Sequence, residues 1–166
     1  MTKLIILRGN SGSGKTTAAK MLQEKFGVNT MRISHDMVRR EILHTWSTEG
    51  KRRSLPLMIS LLEYGHVHSE VTVLEGILPW KDYQPLFERA LELYGEGIHA
   101  YYYDLPFAET LRRHQSRPEA DEFGEGEMRS WWQEKDLLPI IRETLLAPED
   151  ELEETVQRIC DEVNQP

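Results

Sequence analysis

The chain has a single cysteine, Cys160. An internal disulfide is impossible, a cysteine-rich metal site is excluded, and packing is the expected role of that side chain. Long apolar runs are absent too. None approaches the ~20 residues that a membrane-spanning helix needs. The opening MTKLIIL has one basic residue and an apolar stretch too short for a signal-peptide core. A soluble, cytoplasmic protein with no membrane partner is expected. Positive charge is in deficit: 20 Lys and Arg face 28 Asp and Glu, a net charge of −8. That disfavours a protein that coats nucleic acid, because such binding draws on clustered basic side chains. Nucleic acid is therefore a disfavoured partner, though local basic sites remain. Three basic clusters stand out, at Arg39-Arg40, Lys51-Arg52-Arg53 and Arg112-Arg113. Each is solvated surface by default, unless some converge on phosphates.

No repeat, low-complexity tract or linker divides the 166 residues. One domain over 1–166 is expected, with a core of its own. The oligomeric state is not readable. The apolar run KLIIL reads as a buried strand. KTTAAKMLQEKFG reads as a helix with Ala18, Leu22 and Phe26 on one face and Gly27 at its end. NTMRIS, VTVLEGIL, IHAYYYD and ETLLA read as further strands. HDMVRREILHTW, LPLMISLLEYGHVHSE, PLFERALELYG and PFAETLRRHQSR read as helices, with Pro106 suited to a first turn. Residues 118–130, acidic and glycine-bearing, read as a mobile segment. WWQEKDLLPIIRE has helical character around Pro139. DELEETVQRICDEV reads as a last helix, with Asp150 and Glu153 spaced as a capping box. Strands alternating with helices imply a parallel sheet covered on both faces.

What stands out against this background is RGNSGSGKTT. Gly9, Asn10, Ser11, Gly12, Ser13, Gly14, Lys15 and Thr16 fit G-x-x-x-x-G-K-[ST], the P-loop pattern, with Thr17 following. Glycines let the backbone turn its N–H groups onto phosphate oxygens. The helix that follows adds its positive end. Lys15 would reach the β- and γ-phosphates of a nucleoside triphosphate, and the Thr16 hydroxyl would bind Mg²⁺. The pattern sits between an apolar strand and an amphipathic helix, where the mechanism requires it.

A GTPase would need a base-reading N-K-x-D element, and none occurs. A ring ATPase would usually need a longer module and a strand ending in Asp-Glu, whereas here Glu75 is followed by glycine. A small phosphotransferase needs an acceptor pocket, a base and an arginine-bearing lid, and this chain can supply all three.

ILRGNSGSGKTTAAKML, ISHDMVRREIL, VTVLEGIL and YYYDLPFAETLRRHQSRP together resemble the small P-loop kinases of nucleosides, sugars or antibiotics. The resemblance is strongest to the zeta-toxin and chloramphenicol-phosphotransferase branch, often labelled uridine-kinase-like or AAA-type ATPases. It implies a five-stranded parallel sheet in the order 2-3-1-4-5, with ATP at the C-terminal strand ends. It also implies a lid over about 113–135, where Arg113 and Arg117 clamp the transferring phosphoryl group. Guanidinium groups suit that charge; a solvated basic face is the alternative.

Asp36 follows a strand and so belongs on the catalytic rim. It is the candidate general base, positioned to accept or orient the acceptor hydroxyl's proton. The competing reading is a helix cap. Glu75, at the end of a buried strand, could hold Mg²⁺ or the acceptor, or close a salt bridge at the sheet end. Arg39 and Arg40 are acceptor-site candidates. His66 and His68, two apart, do not share a helix face and do not suggest a metal site. His35, next to Asp36, could reach a ligand, with a structural or exposed role as the default; Trp131-Trp132 could line a pocket, with core or lid packing as the default. The expected activity is ATP- and Mg²⁺-dependent transfer of a γ-phosphoryl group to a small-molecule hydroxyl. Two alternatives remain: a polynucleotide 5′-hydroxyl kinase, and a nucleotide-binding regulator without a small acceptor.

Overall fold

A computed structural model of the chain describes residues 1–165. Its centre is β1 (Lys3–Gly9), the apolar run that precedes the glycine loop. It pairs in parallel with β3 (Val71–Gly76) on one side and β4 (Ile98–Tyr103) on the other. Beyond these lie β2 (Thr30–Ser34) and β5 (Glu143–Leu146), both parallel. The order is β2-β3-β1-β4-β5, as the resemblance implied.

Leu4 through Leu7 are all fully buried, which explains why β1 is a continuous apolar run rather than an alternating one. Successive residues point to opposite faces. Leu4 and Ile6 join a core with Met58 and Leu62 of α2 (Ser47–His68) and Leu86, Phe87 and Ala90 of α3 (Trp80–Tyr94). Ile5 and Leu7 join a second core with Ala18, Ala19 and Leu22 of α1 (Lys15–Phe26) and Val156 and Ile159 of α6 (Leu152–Val163). Cys160 is buried in that second core, in the packing role expected of it. Among the described residues, no helix is long and apolar enough to cross a membrane.

Several local expectations are corrected. The stretch after Asp36 is not an ordinary helix. Met37–Ile42 is a π-helical segment, with Leu43 N–H bonded to the Val38 carbonyl. Such segments widen a helix and are frequent at functional sites. Helix α2 begins at Ser47 rather than near Pro56, and Pro56 sits inside it. Glu49 pairs with both Arg52 and Arg53 one turn on, which favours helix upstream of the proline.

The acidic segment, read as mobile, carries secondary structure that its composition did not foretell. It holds a 3₁₀ turn (Pro118–Asp121) and α5 (Glu125–Trp131). Met128 is buried, Phe123 stacks on His114, and Trp131 meets Phe123 edge-on. The aromatics supply a small core of their own, reached by α4 (Phe107–Gln115). WWQEKDLLPIIRE is not a helix beyond Trp131. Its backbone is taken up by partners on β1 and the glycine loop, described below. The expected capping box at Asp150 is absent: the Asp150 carboxylate accepts from Ala147 N–H instead, at 2.6 Å.

Candidate active site

The loop between β1 and α1 lies at the C-terminal edge of the sheet, where parallel α/β folds bind ligands. Gly12 and Gly14 take left-handed φ values of 79° and 104°. Gly12 has a second constraint. A Cβ there would strike the Thr110 carbonyl of α4 and approach Met128 of α5, so both helices rest directly on the loop.

Lys15 is buried beneath the loop. Its Nζ donates to the Asn10 carbonyl at 2.7 Å and to Ser13 Oγ at 3.1 Å. Burial pushes its ammonium down to about 8, against the opposing pull of the Glu75 and Asp36 carboxylates. An amine held this way is desolvated and lacks a carboxylate in contact, so it fits a phosphate. This gives a pH signature. Phosphate contact would restore the ammonium, so nucleotide binding above about pH 8 should take up a proton. Affinity should then fall by up to ~10-fold per pH unit. Calorimetry at about pH 8.5 in two buffers of different ionisation enthalpy measures the uptake; equal heats in both would remove Lys15 from the phosphate site.

Thr16 Oγ1 donates to Glu75 Oε1 at 3.1 Å, joining the start of α1 to the end of β3. Glu75 is buried, and its other neighbour is Arg32 of β2 at 3.8 Å. Thr16 and Glu75 therefore fit an Mg²⁺ bound with phosphates. Among the described residues, no three His, Cys, Asp or Glu side chains converge on a metal position. An ion here would rest on this pair and on ligand oxygens. Arg32 was not singled out by sequence reasoning, and only the pairing of β2 with β3 reveals it.

Asp36 stands on the same rim, at the end of β2. Its side chain is 65% exposed, and Arg40 is 4.0 Å away. It makes no capping bond; Ser34 Oγ accepts the Met37 N–H in its place, at 3.4 Å. The capping reading of Asp36 thus loses its support. Behind it, His35 is buried and bonded to the Tyr83 hydroxyl, which also meets Ser54 Oγ at 3.1 Å. Burial holds His35 down to about 4, so it is a neutral wall of the site at neutral pH. Arg39 bonds the Ser47 carbonyl at 3.3 Å, tying the π-helical segment to α2.

Arg113 and Arg117 diverge. Arg113 is fully engaged: with Glu109 at 2.7 Å, the Ser13 carbonyl at 2.9 Å and the Pro148 carbonyl at 3.2 Å. It bridges the glycine loop to the β5–α6 loop. Arg117 reaches the face of Gly14, with Nη2 3.8 Å from where a Cβ would stand, the same distance as Arg113 Nη1. Together with Pro148, Asp150 and Tyr103 they wall a cavity of about 280 Å³ beside Ser13, Gly14 and Thr17.

Two loop residues have partners that the motif does not foretell. Gly9 is the residue that lets β1 approach β4, since a Cβ would lie 2.8 Å from Tyr103 Cβ. The Asn10 side chain pairs with both backbone groups of Gln133, at 2.8 Å each, fastening the segment after α5. Next to them, fully buried Arg8 binds Asp136 at 2.6 Å, Glu143 at 2.9 Å and the Leu78 carbonyl at 3.0 Å.

A family model described as zeta toxin matches residues 2–55, roughly the first third of the chain. That stretch carries the glycine loop, Lys15, Thr16, Asp36, Arg39 and Arg40. No curated relative matches the chain. Among solved structures, an APS kinase from Mycobacterium tuberculosis in complex with AMPPNP and APS aligns with a TM-score of 0.68 and 18% identity, over 99% of this chain and 98% of that one. A gluconokinase from Sinorhizobium meliloti 1021 aligns with a TM-score of 0.67 and 14% identity, over 97% and 91%. A shikimate kinase from Aquifex aeolicus aligns with a TM-score of 0.54 and 19% identity, over 96% and 95%. The chain has the fold of the small P-loop kinases, and its first third is zeta-toxin-like.

Proposed function

We propose that this chain is an ATP- and Mg²⁺-dependent kinase that transfers the γ-phosphoryl group to a hydroxyl of a small molecule, of the nucleoside, sugar or antibiotic type. The observation that carries the reading is one rim on which Lys15, the Thr16–Glu75 pair, Arg117 and Asp36 meet. These are the parts that phosphoryl transfer needs: a phosphate cradle, an ion position, a mobile cation and a carboxylate facing the acceptor.

Lys15 and the loop N–H groups would hold the β- and γ-phosphates. Thr16 and Glu75 would hold Mg²⁺, which when bound offsets phosphate charge. Arg117, free of a carboxylate partner among the described residues, would meet the charge that develops on the transferring group. Arg113 has another part, keeping loop and cavity wall in register. Asp36 would take or orient the acceptor hydroxyl's proton. Arg40 beside it, with Arg39 one residue earlier, would border the acceptor. The lid lying on Gly12 would exclude water and limit hydrolysis. A cytoplasmic setting, where ATP is abundant, fits this chemistry.

The test is an ATP-consumption screen with nucleosides, sugars, aminoglycosides and 5′-hydroxyl oligonucleotides, each product checked by mass. A gain of one phosphoryl group on a small alcohol supports the reading. Transfer confined to oligonucleotides would overturn it in favour of a polynucleotide kinase. Tight ATP binding without transfer to any acceptor would favour a regulator.

A further inference from the structure

The P-loop pattern fixes Gly9, Gly14, Lys15 and Thr16 and leaves position 10 open. Such loops hold phosphate by backbone N–H groups, so no particular side chain is required there. Asn10 is nevertheless buried, at 5% exposure, and both ends of its amide are engaged. Nδ2 donates to the Gln133 carbonyl, and Oδ1 accepts the Gln133 N–H, at 2.8 Å each. A side-chain amide both donates and accepts, as a peptide group does. The pair therefore closes like one rung of a sheet, between residues 123 positions apart.

Gln133 belongs to a segment that is itself well anchored. The backbone between α5 and β5 is irregular, and its polar groups take partners from side chains. Asp136 N–H donates to the Tyr102 hydroxyl at 3.2 Å, and Leu138 N–H to Glu143 at 2.8 Å. The Asp136 carboxylate is held by Arg8 at 2.6 Å and by the Trp80 N–H at 2.9 Å. Among the described residues, the N–H and carbonyl of Gln133 meet Asn10 alone. On the loop side, the Asn10 carbonyl accepts from the Lys15 ammonium at 2.7 Å. One residue thus holds Lys15 by its main chain and the segment after α5 by its side chain.

A loop of this composition gains from such an anchor. Gly12 and Gly14 stand at positive φ, and glycine loses more freedom than any other residue when its backbone is fixed. A cradle that must order itself around phosphate binds more weakly than one already shaped. Arg113 fixes the second half of the loop through the Ser13 carbonyl, at 2.9 Å. Gln133 does the same for the first half through Asn10. We propose, on the reading of this loop as a nucleotide site, that Asn10 is a positioning residue whose pairing with Gln133 preorganises the phosphate cradle. Polyphosphate affinity then depends on the seating of a distant segment. By linkage, phosphate in the cradle must in turn tighten the Asn10–Gln133 pair.

The experiment attacks the pair from both sides in the full chain. Asn10→Ala removes the amide. Gln133→Pro removes the N–H that the amide accepts and leaves the loop's own sequence untouched. Trp132 already has φ −57° and ψ 130°, the extended backbone that a following proline favours. Calorimetry gives the affinity for inorganic tripolyphosphate and for ATP, and a melt gives the ligand-free thermal midpoint. Asn10→Ala should weaken both ligands by ~10-fold. Gln133→Pro should weaken both in the same way, and the double variant should bind no more weakly than Asn10→Ala alone, since the two changes break one contact. A lowered midpoint with both affinities intact would make the pair structural and overturn the proposal. Loss in Asn10→Ala with none in Gln133→Pro would confine the effect to the loop and overturn it as well, as would losses that add in the double variant. Hydrogen exchange at the Gln133 N–H covers the case in which the proline variant does not fold. Tripolyphosphate should slow that exchange in the unaltered chain, and Asn10→Ala should hasten it. Exchange that tripolyphosphate leaves unchanged would overturn the coupling. These readouts need no acceptor, so they stand apart from the transfer screen. An unaltered chain that binds neither ligand would overturn the nucleotide site and this proposal with it.

Discussion

Asp36→Asn is expected to lower phosphoryl transfer by ~10²–10⁴-fold while leaving the fold intact. Asn keeps the shape of the side chain but cannot take a proton. Two features of the structure sharpen this expectation. The Asp36 side chain makes no capping bond, and Ser34 serves the Met37 N–H. The side chain is also largely exposed, with Arg40 at a loose 4.0 Å. Stability therefore has little to lose, since Asn caps about as well as Asp in any case. Turnover, nucleotide affinity and thermal midpoint should be measured on the same variant. A large loss of turnover with the other two unchanged assigns Asp36 to the acceptor. Near-normal turnover would move the proton-handling role to Glu75, the other carboxylate on the rim.

Lys15→Ala is expected to lower ATP turnover by ~10²–10³-fold, the loss seen when one preorganised charge-stabilising group is removed. The residue is buried, and its ammonium is held by a carbonyl and a hydroxyl rather than by a contacting carboxylate. Its burial disfavours the charged form, as the fall to about 8 records. Removing it therefore relieves a desolvated charge and should not unfold the domain. Circular dichroism and the thermal midpoint should match the unaltered chain. A folded Lys15→Ala protein with full turnover would refute the phosphate cradle.

The glycine loop was legible because its chemistry is local. Eight consecutive positions specify it, and a strand before and a helix after supply the context. The sheet order was legible only through resemblance, since strand periodicity says nothing of neighbours. Arg32 and Arg8 were not legible as site or core residues. Each acquires its meaning from partners far along the chain, Glu75 for one and Asp136 and Glu143 for the other. The packing within the acidic segment was not legible because composition averages over it. Acidic and glycine residues dominate the count, yet Phe123, Met128 and Trp131 decide its packing. Arg113 and Arg117 looked equivalent at helical spacing, and only the bonds of Arg113 to Ser13 and Pro148 tell them apart.

The buried guanidinium of Arg8 has a consequence for how the chain is made. Asp136 and Glu143 follow Arg8 along the chain by 128 and 135 positions, so both are translated after it. Until they arrive, closing β1 between β3 and β4 would leave a positive charge sealed in the interior without its counter-ions, which is strongly unfavourable. The central strand is thus held back from its final environment during synthesis. A chain stopped after Trp132 should accordingly fail to form a protease-resistant core, although it contains four of the five strands and both halves of the P-loop rim. Resistance of that fragment equal to the full chain's would show that the charge does not gate assembly. The segment that follows Trp132, which holds none of the predicted catalytic groups, then decides when the nucleotide site comes into being.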